Sequence, residues 1–119
     1  MARRKFTPEQ ANRTLPLVRR IVADLLRRGQ QLDRLSKEQE APDTLRQMEL
    51  VNDELRALAE ELEEIGCLFK DWNFRTGLVD FPAEIDGEEV LLCWRSDEER
   101  VEWYHTYDEG YPGRRRIPG

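Results

Sequence analysis

Between Gly77 and His105 apolar and polar side chains alternate in steps of two, through GLVDFPAEIDGEEVLLCWRSDEERVEWYH. A period of two confines the segment to extended strands with one buried face. Asp86-Gly87 interrupts it with the two-residue signal of a type I′ hairpin turn. With that turn, Ile85 faces Glu88, Pro82 faces Leu91 and Asp80 faces Cys93. With Ser96–Glu99 as a four-residue loop, Arg95 faces Arg100, Cys93 faces Glu102 and Leu91 faces Tyr104. Side chains alternate across a strand, so both faces can be read. One carries Val79, Phe81, Ala83, Ile85, Val90, Leu92, Trp94, Val101, Trp103 and His105, and is expected to be core. The other carries Asp80, Pro82, Leu91, Cys93, Arg95, Glu102 and Tyr104.

The period changes upstream. Thr7-Pro8-Glu9-Gln10 reads as a helix start, with threonine as cap, proline at the first helical position and Gln10 closing a capping box. Pro16 lacks a donor and clashes with the preceding turn. A short helix over 8–13, a kink and a long helix from Leu15 are therefore predicted. Leu15, Val18, Val22, Leu25, Gly29 and Leu32 step by three and four, as do Met48, Val51, Leu55, Leu58, Leu62 and Ile65. Ala41-Pro42-Asp43 separates the two helices, and Gly66 suits a left-handed end to the second. Lengths of about 36 and 33 Å suit an antiparallel pair. The predicted class is α+β: a long antiparallel helical hairpin packed on a three-stranded antiparallel β-meander. It forms one domain over 1–119, with hairpin 15–65, connector 66–77, meander 78–107 and an irregular tail 108–119.

Charge limits the function classes. The net charge is −6, which argues against a nucleic-acid partner because the phosphate backbone selects basic surfaces. Residues 1–40 hold ten basic and five acidic groups, whereas 41–65 hold two basic and eight acidic. The flanks of the helix seam therefore attract. No apolar run is long enough to insert in a membrane, and no apolar signal core follows the basic start Met1-Ala2-Arg3-Arg4-Lys5. A cytoplasmic protein is expected, with Cys67 and Cys93 reduced.

Several stretches carry a combined resemblance. They are Phe6-Thr7, Ala11-Asn12-Arg13-Thr14-Leu15-Pro16-Leu17-Val18-Arg19, Gly66-Cys67, Lys70-Asp71, Gly77-Leu78-Val79-Asp80-Phe81-Pro82, Leu92-Cys93-Trp94-Arg95 and Gly110 with Gly113-Arg114-Arg115. Together they resemble the uncharacterised bacterial family catalogued as domain of unknown function 2203, over nearly the whole chain. The resemblance implies a bacterial cytoplasmic origin and supports the fold, and it implies no activity.

Four constellations could carry chemistry. Asp80, Cys93 and Glu102 fall in one cross-strand row, a donor set suited to a divalent metal. Against it, flanking carboxylates disfavour the thiolate, and a row on a sheet is flat. His105 is the sole histidine and a candidate general base, but the register puts Cys93 on the opposite face, away from it. Trp94 and Trp103 adjoin on the core face, where an aromatic pair serves packing more often than base stacking. Arg114 and Arg115, with Arg116 and with Arg13 from the kink, could clamp an anion through forked guanidinium bonds.

The leading functional expectation is a non-enzymatic module that associates with itself. Its contacts would come from the row Pro82, Leu91 and Tyr104 and from the seam residues Leu32, Leu35, Leu45 and Met48 on a projecting arm. No cofactor is expected. The alternative is a small metal- or anion-binding protein or enzyme using some of Asp80, Cys93, His105 and Arg114, and a third, weaker reading is nucleic-acid binding through the first helix and the arginine tail.

Overall fold

The computed structural model describes residues 4–38 and 42–118, so Met1, Ala2, Arg3 and Ala41 among the positions discussed above lie outside the described residues. Helices α1 (Pro8–Ser36) and α2 (Pro42–Ile65) precede strands β1 (Leu68–Phe69), β2 (Leu78–Ile85), β3 (Glu88–Arg95), β4 (Trp103–His105) and β5 (Arg115–Arg116). The strands form one antiparallel sheet in the order β1-β2-β3-β4-β5. The class is α+β. Five strands replace the predicted three, because the connector and the tail each add a two-residue edge strand.

Thr7 caps α1 as its sequence demands. Its hydroxyl accepts from the Gln10 amide at 3.1 Å, and its own amide donates to the Gln10 side chain at 3.0 Å. The predicted break between residues 13 and 15 is absent, and α1 runs through Pro16. An interior proline costs a helix about 3 kcal/mol. Leu15, Val18, Val22 and Leu25 are buried on the same helix, and each contributes about 1.5–3 kcal/mol on burial. The packed face outweighs the lost bond. Pro42 and Asp43, read as a separator, instead open α2 with proline in the first turn.

Gly66 ends α2 at φ +112°, and the amides of Gly66 and Cys67 both reach back to the Leu62 carbonyl. The two helices contribute Val18, Val22, Leu25, Leu35, Val51, Leu55 and Leu62 to one core cluster with Val79, Phe81, Val90, Leu92 and Trp94 of the sheet. A 2.6 Å ion pair from Arg28 to Glu54 ties α1 to α2 at the surface, in line with their opposite charges. Gly29 has a packing reason beyond periodicity: a β-carbon there would lie 2.0 Å from the Phe74 ring of the connector. Of the arm residues, Leu35 is buried, Leu32 and Met48 are half-buried, and Leu45 is exposed.

The β2–β3 hairpin has the predicted turn and register. Asp86 and Gly87 both take positive φ, and Asp80 pairs with Cys93, Pro82 with Leu91. The β3–β4 register differs by one residue. Cys93 faces Trp103, Leu92 faces Tyr104 and Leu91 faces His105. A slip of one moves every side chain to the other face. Trp103 and His105 therefore leave the core face, while Glu102 and Tyr104 leave the opposite one.

The cause is a longer loop than predicted, held by α1. The Asn12 side chain accepts from the Val101 amide at 2.7 Å and donates to the Val101 carbonyl at 3.2 Å. Val101 is thereby bonded to a helix instead of to β3. The chain rejoins the sheet only at Trp103.

Candidate functional site

On the sheet face away from the helices, the corrected register gathers Asp80 from β2, Cys93 from β3 and His105 from β4. One donor atom from each lies within 4.8 Å of the others, and all three residues are buried. Burial of an aspartate and a histidine on the same face needs a polar reason. His105 Nδ1 is 2.8 Å from the Thr106 carbonyl. A carbonyl only accepts, so Nδ1 carries a proton, and in the neutral tautomer this leaves, Nε2 turns its lone pair toward Asp80 Oδ1, 3.2 Å away. Two acceptors then face each other, an arrangement a proton or a cation satisfies.

Electrostatics favour the same occupant. Burial pushes the Asp80 carboxyl above its ordinary value, opposed by His105 and by the charge of Lys70. Burial, reinforced by Asp80, pushes the Cys93 thiol up to about 12, with the Arg114 guanidinium opposing. A thiol so raised is a poor nucleophile at neutral pH, which weighs against a Cys93–His105 catalytic pair. A cation bound between the three would reverse both shifts, because it stabilises thiolate and carboxylate directly. Cys67 is different: it packs in the helix-side core and donates to the Leu62 carbonyl at 3.4 Å. The two thiols thus belong to opposite faces of the sheet.

The three donors open onto a cavity of about 470 Å³, walled by Leu68, Lys70 and Leu78 from the first two strands and their connector and by Tyr107, Gly110 and Tyr111 from the tail. The Asp80–Cys93 pairing read from the sequence is present, and His105 lies beside it where Glu102 was expected. Glu102 pairs with Arg116 instead. Within the apolar row, Pro82 and Leu91 are covered, and Tyr104 has moved to the helix-side core. Trp103 lies between Arg114 and Arg116, whose guanidiniums sit 4.6 and 4.9 Å from its ring.

The arginine tail is engaged with acids. Arg114 binds Glu98 through both nitrogens at 3.1 and 2.7 Å with little exposure, and Arg115 binds Glu109 at 3.0 Å. Arg13 is exposed on α1. The residue that decides where His105 falls is Asn12, three before Leu15 on the buried stripe, and it also donates to the Pro8 carbonyl of its own helix, so its polarity alone names no partner in the sheet.

Among the described residues no helix is long and apolar enough to cross a membrane. No curated protein and no solved structure is found to match the chain. A family model described as Uncharacterized conserved protein (DUF2203) matches residues 4–117, and the chain belongs to that family.

Proposed function

We propose that the protein binds a divalent transition metal of the zinc type through Asp80, Cys93 and His105. The observation that carries this reading is the convergence of three different donor types within 4.8 Å in a buried site, with His105 Nδ1 tied to a backbone carbonyl. Metal-ligating histidines regularly donate their second nitrogen in this way, which orients the ring and raises its basicity. Zinc bonds of about 2.0–2.3 Å in a tetrahedron bring donors about 3.3–3.7 Å apart. Binding would therefore draw the three together by about 1.5 Å at most. Three protein ligands leave a fourth position, the pattern of a site that exchanges water or a ligand. The thiolate requires a reducing compartment, in keeping with the cytoplasmic location expected from the sequence.

The test is native mass spectrometry of protein purified without chelator, followed by zinc competition against a chromophoric chelator. One metal per 14.1 kDa chain is expected. Cys93→Ser, His105→Ala and Asp80→Asn should each weaken binding by more than the roughly 10–100-fold that loss of a supporting residue costs. A wild-type protein that takes up no zinc at micromolar free metal overturns the reading.

Self-association through an antiparallel helical arm is a second reading, favoured by one observation. Leu45 and Leu50 of α2 are 54% and 56% exposed, and two large aliphatic groups on one helix suit a second surface. Sedimentation equilibrium at about 100 μM should then give multiples of the chain mass, a range in which modest interfaces associate. Monomer alone removes this reading.

A further inference from the structure

We infer that the cavity above Asp80, Cys93 and His105 takes a small organic monocarboxylate with an apolar or aromatic body, its carboxylate held between the bound metal and Lys70. The inference rests on the metal reading and deepens it by naming a ligand class. Charge supplies the first argument. An aspartate carboxylate, a cysteine thiolate and a neutral imidazole cancel a divalent cation, so the loaded centre itself is neutral. Arg114, whose guanidinium acts on Cys93, is matched by Glu98. Lys70 lines the cavity and forms no ion pair among the described residues. One uncompensated positive charge is left at the cavity wall, which matches one negative charge better than the two of a phosphate monoester or of inorganic phosphate.

The walls supply the second argument. Leu68, Leu78 and Leu91, with Tyr107 and Tyr111, surround the polar floor with aliphatic and aromatic surface. A bare inorganic anion would leave that surface hydrated, whereas a carboxylate with a hydrocarbon or ring body would cover it. At about 470 Å³ the space falls within the range of small-molecule sites. Convergent polar groups in an otherwise apolar pocket fix the orientation of such a ligand, head to the metal and body to the tyrosines.

The full-length chain loaded with cobalt(II) in place of zinc provides the test, since the visible bands of cobalt report a change of its fourth ligand. Titration with 3-phenylpropanoate should shift these bands and saturate. Acetate should bind about tenfold more weakly or worse, because it lacks the apolar body whose burial adds to affinity. Lys70→Met should weaken 3-phenylpropanoate about tenfold while the chain still takes up one cobalt. Cobalt bands that appear but ignore the carboxylate, or respond as strongly to acetate, or prefer inorganic phosphate, or are indifferent to Lys70→Met, overturn this inference and leave the metal reading intact. Failure to take up cobalt or zinc at all overturns both.

Discussion

A carboxyl group 4% exposed, with a thiol and an imidazole as neighbours, holds its charge only against a large loss of hydration. Asp80 is that group, and its raised value makes the metal-free protein sensitive to pH in a defined direction. The folded state retains a proton on Asp80 that the unfolded chain releases first. Stability from this residue is complete below about pH 4, the ordinary aspartate range, and is lost as pH rises through the folded value. In chelator, the melting temperature of Asp80→Asn should therefore gain on that of wild type as pH rises from about 4 toward neutrality. A difference that stays flat across that range would show that Asp80 is not held in its neutral form by burial. Zinc should reverse the order at neutral pH, stabilising wild type and not the variant. The same neutral-form preference explains why Cys93 reads better as a ligand than as a nucleophile. Burial and Asp80 push its thiol up to about 12 even with Arg114 opposing them.

At the scale of elements, the site depends on the register of β4, a strand of three residues. So short a strand has little pairing of its own to define its position, and Asn12 of α1 supplies the missing constraint. Its side chain satisfies both the amide and the carbonyl of Val101, a residue 3% exposed. Asn12→Ala strands two backbone groups away from water. It should cost about 1–3 kcal/mol in urea unfolding and weaken zinc retention, since β4 is then freer to slip toward the pairing of Cys93 with Glu102. A loss below about 0.5 kcal/mol, the usual scale of a surface substitution, would show that the loop holds β4 without the clamp. By contrast, the β2–β3 hairpin needs no outside help. Its two eight-residue strands pair along their whole length and its Asp86-Gly87 turn takes positive φ at both positions. The helix boundaries at Thr7 and Gly66 are equally local, each decided by hydrogen bonds within a few residues.

Across the whole molecule, the tail closes the cavity, and one residue fastens the tail. Arg114 bridges to Glu98 in the β3–β4 loop and stacks on Trp103 and Tyr111 at 4.6 and 4.7 Å. Its pair with Glu98 is about 13% and 15% exposed, too covered to be treated as an ordinary surface ion pair. Arg114→Ala leaves Glu98 without its partner and should cost about 2–4 kcal/mol. It should also speed transfer of bound zinc to a competing chelator, because Tyr107, Gly110 and Tyr111 wall the cavity from the same tail. Unchanged transfer would mean that the tail is not what limits metal exchange. On the helix side the tail contributes the half-buried Ile117 to the core that joins α1 and α2 to the opposite sheet face.

By itself the sequence determined the features that short-range chemistry decides. Periods of three to four and of two set two helices and a hairpin, Thr7 and Gly66 set helix ends, and Asp86-Gly87 set the pairing of Asp80 with Cys93. Pro16 shows the limit in a helix, where a local breaking signal of about 3 kcal/mol yields to four buried side chains that only the assembled core provides. Cys93 with His105 shows it in the sheet. A loop length differing by one residue reverses a strand, and nothing between Ser96 and Glu102 announces the side-chain clamp from Asn12, 89 residues away. The tail likewise reads as irregular because Arg115 and Arg116 gain their strand only from the edge of β4. Tertiary structure alone brought His105 beside Asp80 and Cys93, since the contact that places it is non-local, and no period or spacing along the chain encodes it.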